Sequence, residues 1–186
     1  DNIEDLRKGG FLSLAVPLRK GERGISLRQL TRVIERVALG DPSTALILAM
    51  QYLQTAAIVA SDRWPDDVRN EVLESVVRSG ALVNALRVEP ELGTPARGGV
   101  PATRVRREGG RWLLSGRKIF STGSNALHWG VVWGATEEEE PRIGQILVPL
   151  NMPGVRIEKS WHHLGMRATG SDTIIFQDVE IPDKYL

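Results

Sequence analysis

A hydroxyl side chain that stands beside a glycine in a loop is one kind of group that can bind a ligand. Thr94 follows Gly93, and Thr122 stands between Ser121 and Gly123. A hydroxyl both donates and accepts hydrogen bonds, so a loop threonine of this kind can reach a phosphate or a carbonyl oxygen. The alternative is a local hydrogen bond within the turn, which threonine also makes.

Two other groups of polar residues resemble metal ligands but do not predict a metal site. His162 and His163 are adjacent, and adjacent residues of a strand point to opposite faces, so both cannot easily bind one ion. The run Glu137 to Glu140 lacks the pattern of a calcium loop, and we expect it to be solvated. The sequence contains no cysteine, which excludes disulfides, thiolate metal sites and cysteine nucleophiles.

The composition predicts a soluble globular protein without a strong electrostatic target. The 186 residues are 41% hydrophobic, enough to bury the core of one or two domains. The formal net charge of +1 gives no long-range attraction for nucleic acid or an anionic membrane. The longest apolar stretch, 45–60, contains two glutamines and is shorter than a membrane span, so we expect a buried helix. The absence of cysteine fits a reducing compartment, and we predict a cytoplasmic protein.

The N-terminal part of the chain has the apolar periodicity of helices. Ser26 and Gln29 form a capping-box pair, and the helix that they begin is predicted to end near Gly40. Asp41 before a proline begins a second helix, which is apolar on nearly all sides and therefore buried. A third helix is predicted over 64–79.

After residue 80 the pattern changes to short strands. A hairpin is predicted from 103–107 to 112–119, with two glycines in the turn. Further strands are predicted at 131–133, 146–148, 155–158 and 173–181. Short strands separated by glycine and proline are typical of a small β-barrel or sandwich. The predicted fold class is therefore α+β, with an all-helical domain over 1–81 and a β-barrel or sandwich domain over 82–186.

Five strings, in order and along nearly the whole chain, resemble the acyl-CoA dehydrogenase family. They are Gly-Phe-Leu-Ser-Leu-Ala-Val-Pro at 10–17, Arg-Val-Glu-Pro-Glu-Leu-Gly-Thr at 87–94, Trp-Leu-Leu-Ser-Gly-Arg-Lys-Ile-Phe-Ser-Thr-Gly at 112–123, Gly-Met-Arg-Ala-Thr at 165–169 and Phe-Gln-Asp-Val-Glu-Ile-Pro at 176–182. The second string is similar to the family's Thr-Glu-Pro-x-x-Gly-Ser flavin loop, and the third is similar to the strand pair that ends in Trp-Ile-Thr. The resemblance implies an FAD-dependent oxidoreductase.

The resemblance also implies that two turns converge on one edge of the flavin ring. Thr122 matches the family threonine that faces flavin N5, and Phe120 stands where the family usually has tryptophan. Thr94 aligns with a serine near the flavin and the thioester, whereas Val88 replaces a threonine that binds the flavin pyrimidine. The alternatives are a strand-end role for Thr122 and a core role for Phe120. The implied cofactor-binding residues are Leu86, Val88, Gly93, Thr94, Phe120, Ser121 and Thr122, with Thr94 also binding substrate.

The activity that the resemblance implies is α,β-dehydrogenation of an acyl-CoA thioester, with hydride transfer to flavin N5. Family members continue with a four-helix domain that supplies the catalytic carboxylate and much of the tetramer contact. We expect the sequence to stop about where that domain begins, so no catalytic residue is predicted within it. The implied partners are an acyl-CoA, an electron-transfer flavoprotein or another acceptor, and further copies in a homotetramer that serves fatty acid metabolism.

Two other functions remain open at this point. A flavin-dependent monooxygenase can use the same scaffold, with reduced flavin reacting with oxygen, and Phe120 and Val88 keep this alternative open because both depart from the dehydrogenase pattern. Against it, Glu89-Pro90 followed by Gly93-Thr94 is closer to the dehydrogenase loop. The other alternative is a family member without catalytic activity that serves as an interaction domain.

Overall fold

The structure, a computed structural model, describes residues 1–17, 24–92 and 98–186. The chain divides into two compact units. The first consists of Asp1–Val83 together with His163–Thr169, and the second of Asn84–His162 together with Gly170–Leu186. The return of a late segment to the first unit was not among the sequence predictions.

The described residues of the first unit form four α-helices, α1 (Asn2–Lys8), α2 (Leu27–Ala38), α3 (Pro42–Ala60) and α4 (Asp66–Ser79). The predicted capping box is confirmed, because Ser26 accepts the Gln29 N–H and the Gln29 side chain accepts the Ser26 N–H. The predicted end near Gly40 is confirmed, because α2 ends at Ala38 with Leu39 as its C-cap, but Gly40 is not among the glycines with a positive φ. A left-handed glycine cap does occur at the end of α4, where Gly80 has a φ of 61°.

Helix α3 is the central helix of the first unit, and its one fully buried glutamine is completely bonded. Gln51 is 1% exposed. Its amide group donates to the carbonyls of Leu12 at 3.2 Å and Ala81 at 3.1 Å. Its carbonyl accepts the Val83 N–H at 2.7 Å. The polar interruption of the apolar stretch therefore connects the helix to main chain on either side of it.

Helix α3 is also apolar and long enough, by composition and length alone, to cross a membrane. Its most apolar window has a mean hydropathy of 1.4, and 50% of that window is buried inside the structure. The core helix of a globular unit has the same properties, so the absence of a membrane span stays a prediction.

The second unit is built on a seven-stranded mixed sheet in the order β1-β4-β2-β3-β7-β6, with β5 paired to β4. The strands are β1 (Leu82–Leu86, whose last three residues belong to this unit), β2 (Arg104–Glu108), β3 (Arg111–Lys118), β4 (Leu127–Thr136), β5 (Ile143–Pro149), β6 (Val155–Glu158) and β7 (Thr173–Ile181). The β2–β3 turn has φ values of 56° at Gly109 and 82° at Gly110, which match the predicted two-residue glycine turn.

Of the predicted barrel or sandwich, the barrel is wrong, because the sheet is not closed within the described parts of the chain. Strand β2 pairs with β4 in parallel, so β4 does not continue the β2–β3 hairpin as the next antiparallel strand. The β2–β3, β3–β7, β4–β5 and β6–β7 pairs are antiparallel. The order ends at β1 on one side and β6 on the other. A pattern of short strands predicts their existence but not this non-local pairing.

Asp41 caps α3 and provides a test of the first unit. Its carboxylate accepts the Ser43 N–H at 3.0 Å and bonds to the Thr44 hydroxyl at 2.5 Å. The Thr44 hydrogen bond is the main reason that the pKa of Asp41 lies below its usual value. We expect Asp41→Ala to lower the free energy of unfolding by about 1–2 kcal/mol in urea denaturation followed by circular dichroism.

Asp41→Asn is the matched control, because an asparagine oxygen can still accept the capping N–H. It is expected to retain most of the stability. Equal losses in both variants would contradict the capping role.

Candidate functional site

The two turns predicted to bind a cofactor begin side by side in the second unit. The Ile119 N–H donates to the Val88 carbonyl at 2.9 Å. This bond joins the chain that follows β1 to the chain that leaves β3. Of the first predicted turn, the residues up to Leu92 are described, whereas Gly93 and Thr94 lie outside the described residues.

A buried ion pair lies next to this contact. Lys118 Nζ is 2.7 Å from Glu89 Oε1, and the two side chains are 0% and 1% exposed. The Glu89 carboxylate also accepts the N–H groups of Ala102 at 2.7 Å and Thr103 at 2.9 Å. Lys118 in turn donates to the Trp133 carbonyl. Every charged group of the pair therefore has partners inside the fold.

Burial is the largest influence on both ionisable groups of this pair. Burial opposes the charge on Glu89, but the Lys118 ammonium and the N–H groups that bond the carboxylate outweigh it, so the pKa of Glu89 lies below its usual value. Burial also lowers the pKa of Lys118, and the Glu89 carboxylate opposes that change. The sequence did not predict that Glu89 is buried or that Lys118 is its partner.

The turn after Lys118 holds an aromatic side chain in an unusual conformation. Phe120 has a φ of 55°, a left-handed value that is uncommon for a bulky residue and costs about 1–3 kcal/mol where the surroundings enforce it. Its side chain is 51% exposed and packs edge-to-face with Trp161 at a centroid distance of 6.1 Å. Phe120 is therefore not an ordinary core phenylalanine.

Ser121 and Thr122 are bonded to the segment before β7 and to β1. The Ser121 N–H donates to the Asp172 carbonyl at 3.2 Å. The Thr122 carbonyl accepts the Asn84 amide at 3.0 Å, and the Thr122 hydroxyl accepts the Ser171 hydroxyl at 3.1 Å. Ser121 is 1% exposed, main chain included, and its role in cofactor binding stays a prediction.

Asp172 holds the chain around Trp161. Its carboxylate accepts the N–H groups of Ser160 at 2.9 Å and Trp161 at 3.0 Å, and the Asn125 amide at 3.0 Å. Burial opposes its ionisation, but these hydrogen bonds and the nearby Lys159 outweigh that effect and keep the pKa of Asp172 below its usual value. Nothing in the sequence pattern marked Asn84, Ser171 or Asp172.

The remaining predicted residues differ in what they can offer a ligand. Leu86 is 1% exposed, and its side chain packs so closely on Gly130 that a Cβ there would lie 2.7 Å from it. Leu86 is thus enclosed by the fold, main chain included, and its contact with a cofactor stays a prediction. Val88 is half-buried, and its carbonyl is already bonded to Ile119. His162 and His163 are exposed and lie outside the strands.

No cluster of three potential metal ligands occurs among residues 1–17, 24–92 and 98–186. The absence of a metal site stays a prediction. The side chains around Thr122 instead fit a flat heteroaromatic group. They offer aromatic surface from Phe120 and Trp161, a hydroxyl at Thr122, and a main chain held by buried charges on both sides.

Comparisons with known proteins identify relatives of this chain. The family model for the middle domain of acyl-CoA dehydrogenases matches residues 87–179. YdbM of Bacillus subtilis (strain 168), provisionally named an acyl-CoA dehydrogenase, is 33% identical over 186 residues, which are 100% of this chain and 48% of YdbM. The amino sugar nitrososynthase RubN8 of Streptomyces rubradiris is 32% identical over 190 residues, covering 94% of this chain and 41% of RubN8.

A solved structure has a similar fold. The X-ray structure of KijD3 with FMN and dTDP-3-amino-2,3,6-trideoxy-4-keto-3-methyl-D-glucose has a TM-score of 0.83 at 28% identity, covering 98% of this chain and 45% of KijD3. The chain thus spans about half the length of the curated relatives and the solved structure that it matches.

Removing one charge of the buried pair is expected to destabilise the second unit strongly. In Lys118→Met the Glu89 carboxylate keeps its burial but loses its cation, which costs about 3–5 kcal/mol. Arg117→Met is the matched control, because it removes the positive charge of a neighbouring but exposed ion pair. Arg117 lies 2.7 Å from Glu158, and the side chains of Arg117 and Glu158 are 48% and 39% exposed. The control is expected to cost less than about 1 kcal/mol. Chemical denaturation of both variants measures the difference, and similar losses would contradict the structural importance of the buried pair.

Asp172 predicts a dependence of stability on acid pH. Its pKa in the folded protein lies below the ordinary value of 3.8, so its contribution is complete above that value and is lost as the pH falls through the folded pKa. The stability difference between wild type and Asp172→Asn is therefore expected to shrink as the pH falls from about 4 to about 2. Glu180→Gln, at an exposed carboxylate, serves as control. A difference between wild type and Asp172→Asn that stays constant over this range would refute the prediction.

Proposed function

The chain belongs to the acyl-CoA dehydrogenase family, and we propose that it forms the flavin-holding part of an enzyme that dehydrogenates an acyl-CoA thioester. The observation that carries this proposal is the turn Phe120–Ser121–Thr122, which is half-exposed at Phe120 and yet fixed by buried polar contacts. Residues that bind a planar cofactor need this combination of accessible surface and rigid support.

The cofactor is a flavin, FAD in the dehydrogenase. When bound, it accepts a hydride from the β-carbon of a thioester that also loses an α-proton. Phe120 and Trp161 provide apolar surface for the ring, and Thr122 provides a hydroxyl for a ring nitrogen. Val88 offers apolar contact and main chain only, since it lacks the hydroxyl of the threonine that it replaces. Gly93 and Thr94 are also proposed to bind the ligand, through contacts to phosphate and to the thioester. Both lie outside the described residues.

No residue of this chain is assigned as the base that removes the α-proton. The chain spans about half the length of its relatives, and the activity of the whole protein is therefore a proposal. An acyl-CoA as substrate, an electron-transfer flavoprotein or another acceptor, a homotetramer and a cytoplasmic location all stay predictions.

A second candidate function is flavin-dependent oxygenation of an amine. It is supported by the 32% identity to an amino sugar nitrososynthase and by the likeness to KijD3, whose structure contains FMN and an amino sugar nucleotide. Phe120 and Val88 support it as well, because both depart from the dehydrogenase pattern. This candidate differs from the first in its electron source, which is an external reductase instead of the substrate.

Two reactions, one without oxygen and one with oxygen, separate the two candidates. We expect the purified full-length protein to be yellow and to lose its flavin absorption when acyl-CoA thioesters of several chain lengths are added without oxygen. In a matched aerobic reaction, a flavin reductase with NAD(P)H as its electron donor and an amino sugar nucleotide are supplied together, and no oxygenated product is expected.

Bleaching by an acyl-CoA supports the dehydrogenase, and oxygenated product without bleaching supports the second candidate in its place. A protein that neither carries nor binds FAD or FMN would contradict both and favour the interaction domain. Thr122→Val, which removes the hydroxyl while keeping the side-chain volume, is expected to weaken the binding of oxidised flavin about fivefold in a titration of the apoprotein, because one hydrogen bond contributes about 1 kcal/mol.

A further inference from the structure

The Thr122 hydroxyl is oriented by a neighbour that the sequence did not mark. The Ser171 hydroxyl donates to Thr122 Oγ1 at 3.1 Å. A threonine hydroxyl has one proton and two lone pairs. Because one lone pair of Thr122 accepts the Ser171 proton, the proton of Thr122 is directed elsewhere. Thr122 can thus donate a hydrogen bond while it accepts one.

Ser171 is itself held in place by bonds to the residues on both sides of it. The Gly170 carbonyl accepts the Ser124 hydroxyl at 2.8 Å, and the Asp172 carboxylate accepts the Asn125 amide at 3.0 Å. Ser171 is only 4% exposed. Its hydroxyl therefore comes from a fixed and water-poor position, where a hydrogen bond directs its partner more strongly than at the surface.

The main chain of Thr122 is fixed as well. Its carbonyl accepts the amide of Asn84, at 3.0 Å, and its N–H donates to the Phe120 carbonyl at 3.0 Å. Asn84 is 4% exposed. With the main chain fixed, the hydroxyl direction of Thr122 depends mainly on its contact with Ser171.

We propose that Ser171 is a positioning residue that keeps Thr122 a hydrogen-bond donor toward the bound flavin. The proposal rests on the proposed function, since it concerns the same turn. A donor matches a ring nitrogen that presents a lone pair, as N5 does in oxidised flavin. It does not match the N–H that reduced flavin presents at the same position. Ser171 therefore stabilises the oxidised form of the cofactor relative to the reduced form.

The reduction potential of the bound flavin tests this role without relying on turnover. In the full-length flavoprotein, Ser171→Ala lets the Thr122 hydroxyl rotate to accept from reduced flavin, so the potential is expected to rise. Loss of one directed hydrogen bond corresponds to about a fivefold change in the ratio of oxidised to reduced flavin. For a two-electron couple this is about 20 mV. An anaerobic titration against a reference dye measures the potential, and the absorption spectrum reports flavin occupancy. Ser171→Thr keeps the hydroxyl and is expected to restore the wild-type value.

A double-variant cycle shows whether Ser171 acts through Thr122. In a Thr122→Val background the Ser171→Ala change is expected to leave the potential unaltered, because the group that it orients is absent. A shift that persists in that background would overturn the proposal. So would a wild-type potential in flavin-loaded Ser171→Ala.

Two further outcomes are decisive. If Ser171→Ala does not fold, Ser171→Cys keeps the volume with only a weak S–H donor and must raise the potential with the same sign, and an unchanged value overturns the proposal. If the wild-type protein binds no flavin, the proposed function fails, and the role of Ser171 fails with it. A yellow wild type with unshifted variants overturns the role of Ser171 alone.

Discussion

The ion pair of Glu89 and Lys118 is the contact on which the geometry of the candidate site depends. A charge without water costs several kcal/mol unless partners surround it, so each group constrains the chain that supplies its partners. The carboxylate accepts hydrogen bonds from the N–H groups of Ala102 and Thr103, and the ammonium donates one to the carbonyl of Trp133. The end of β3 therefore cannot move away from the chain after β1 without exposing an unmatched charge. The turn that begins two residues after Lys118 starts from this fixed point.

The other side of the turn is held in the same physical way. Asp172 is a buried carboxylate that collects main-chain N–H groups, and its own carbonyl accepts the Ser121 N–H. Phe120 lies between the two carboxylate networks, and this explains how a bulky residue keeps a left-handed φ of 55°. The conformational energy of Phe120 is offset by hydrogen bonds at both ends of the turn. The result is a half-exposed aromatic side chain on a main chain with little freedom, which suits the binding of a flat cofactor.

The sequence predicted what local rules determine. The turn at Gly109-Gly110, the capping box at Ser26 and the bounds of β6 and β7 follow from residues close together in the chain. The parallel pairing of β2 with β4 and the bond from Ser171 to Thr122 join residues far apart, and no spacing rule connects them. Glu89 and Lys118 were both inside strings that resemble the family, yet neither string indicated that the two side chains form a pair. The candidate site residues were therefore predicted from the resemblance to a family. The contacts that hold them in place could be identified only from the structure.

The proposed donor role of Thr122 bears on the choice between the two candidate reactions. A dehydrogenase meets its substrate with oxidised flavin, whose N5 has a free lone pair, and a donor hydroxyl stabilises that form. An oxygenase meets oxygen with reduced flavin, whose N5 carries a proton and needs an acceptor. Because Thr122 accepts the hydrogen bond from Ser171, its own hydroxyl proton can be donated. Under the proposed function it is donated to N5 and stabilises the oxidised cofactor. Under the proposed function, a donor at Thr122 lowers the reduction potential of the flavin, so the thioester must supply the driving force for hydride transfer in the dehydrogenase, whereas the external reductase must supply it in the oxygenase.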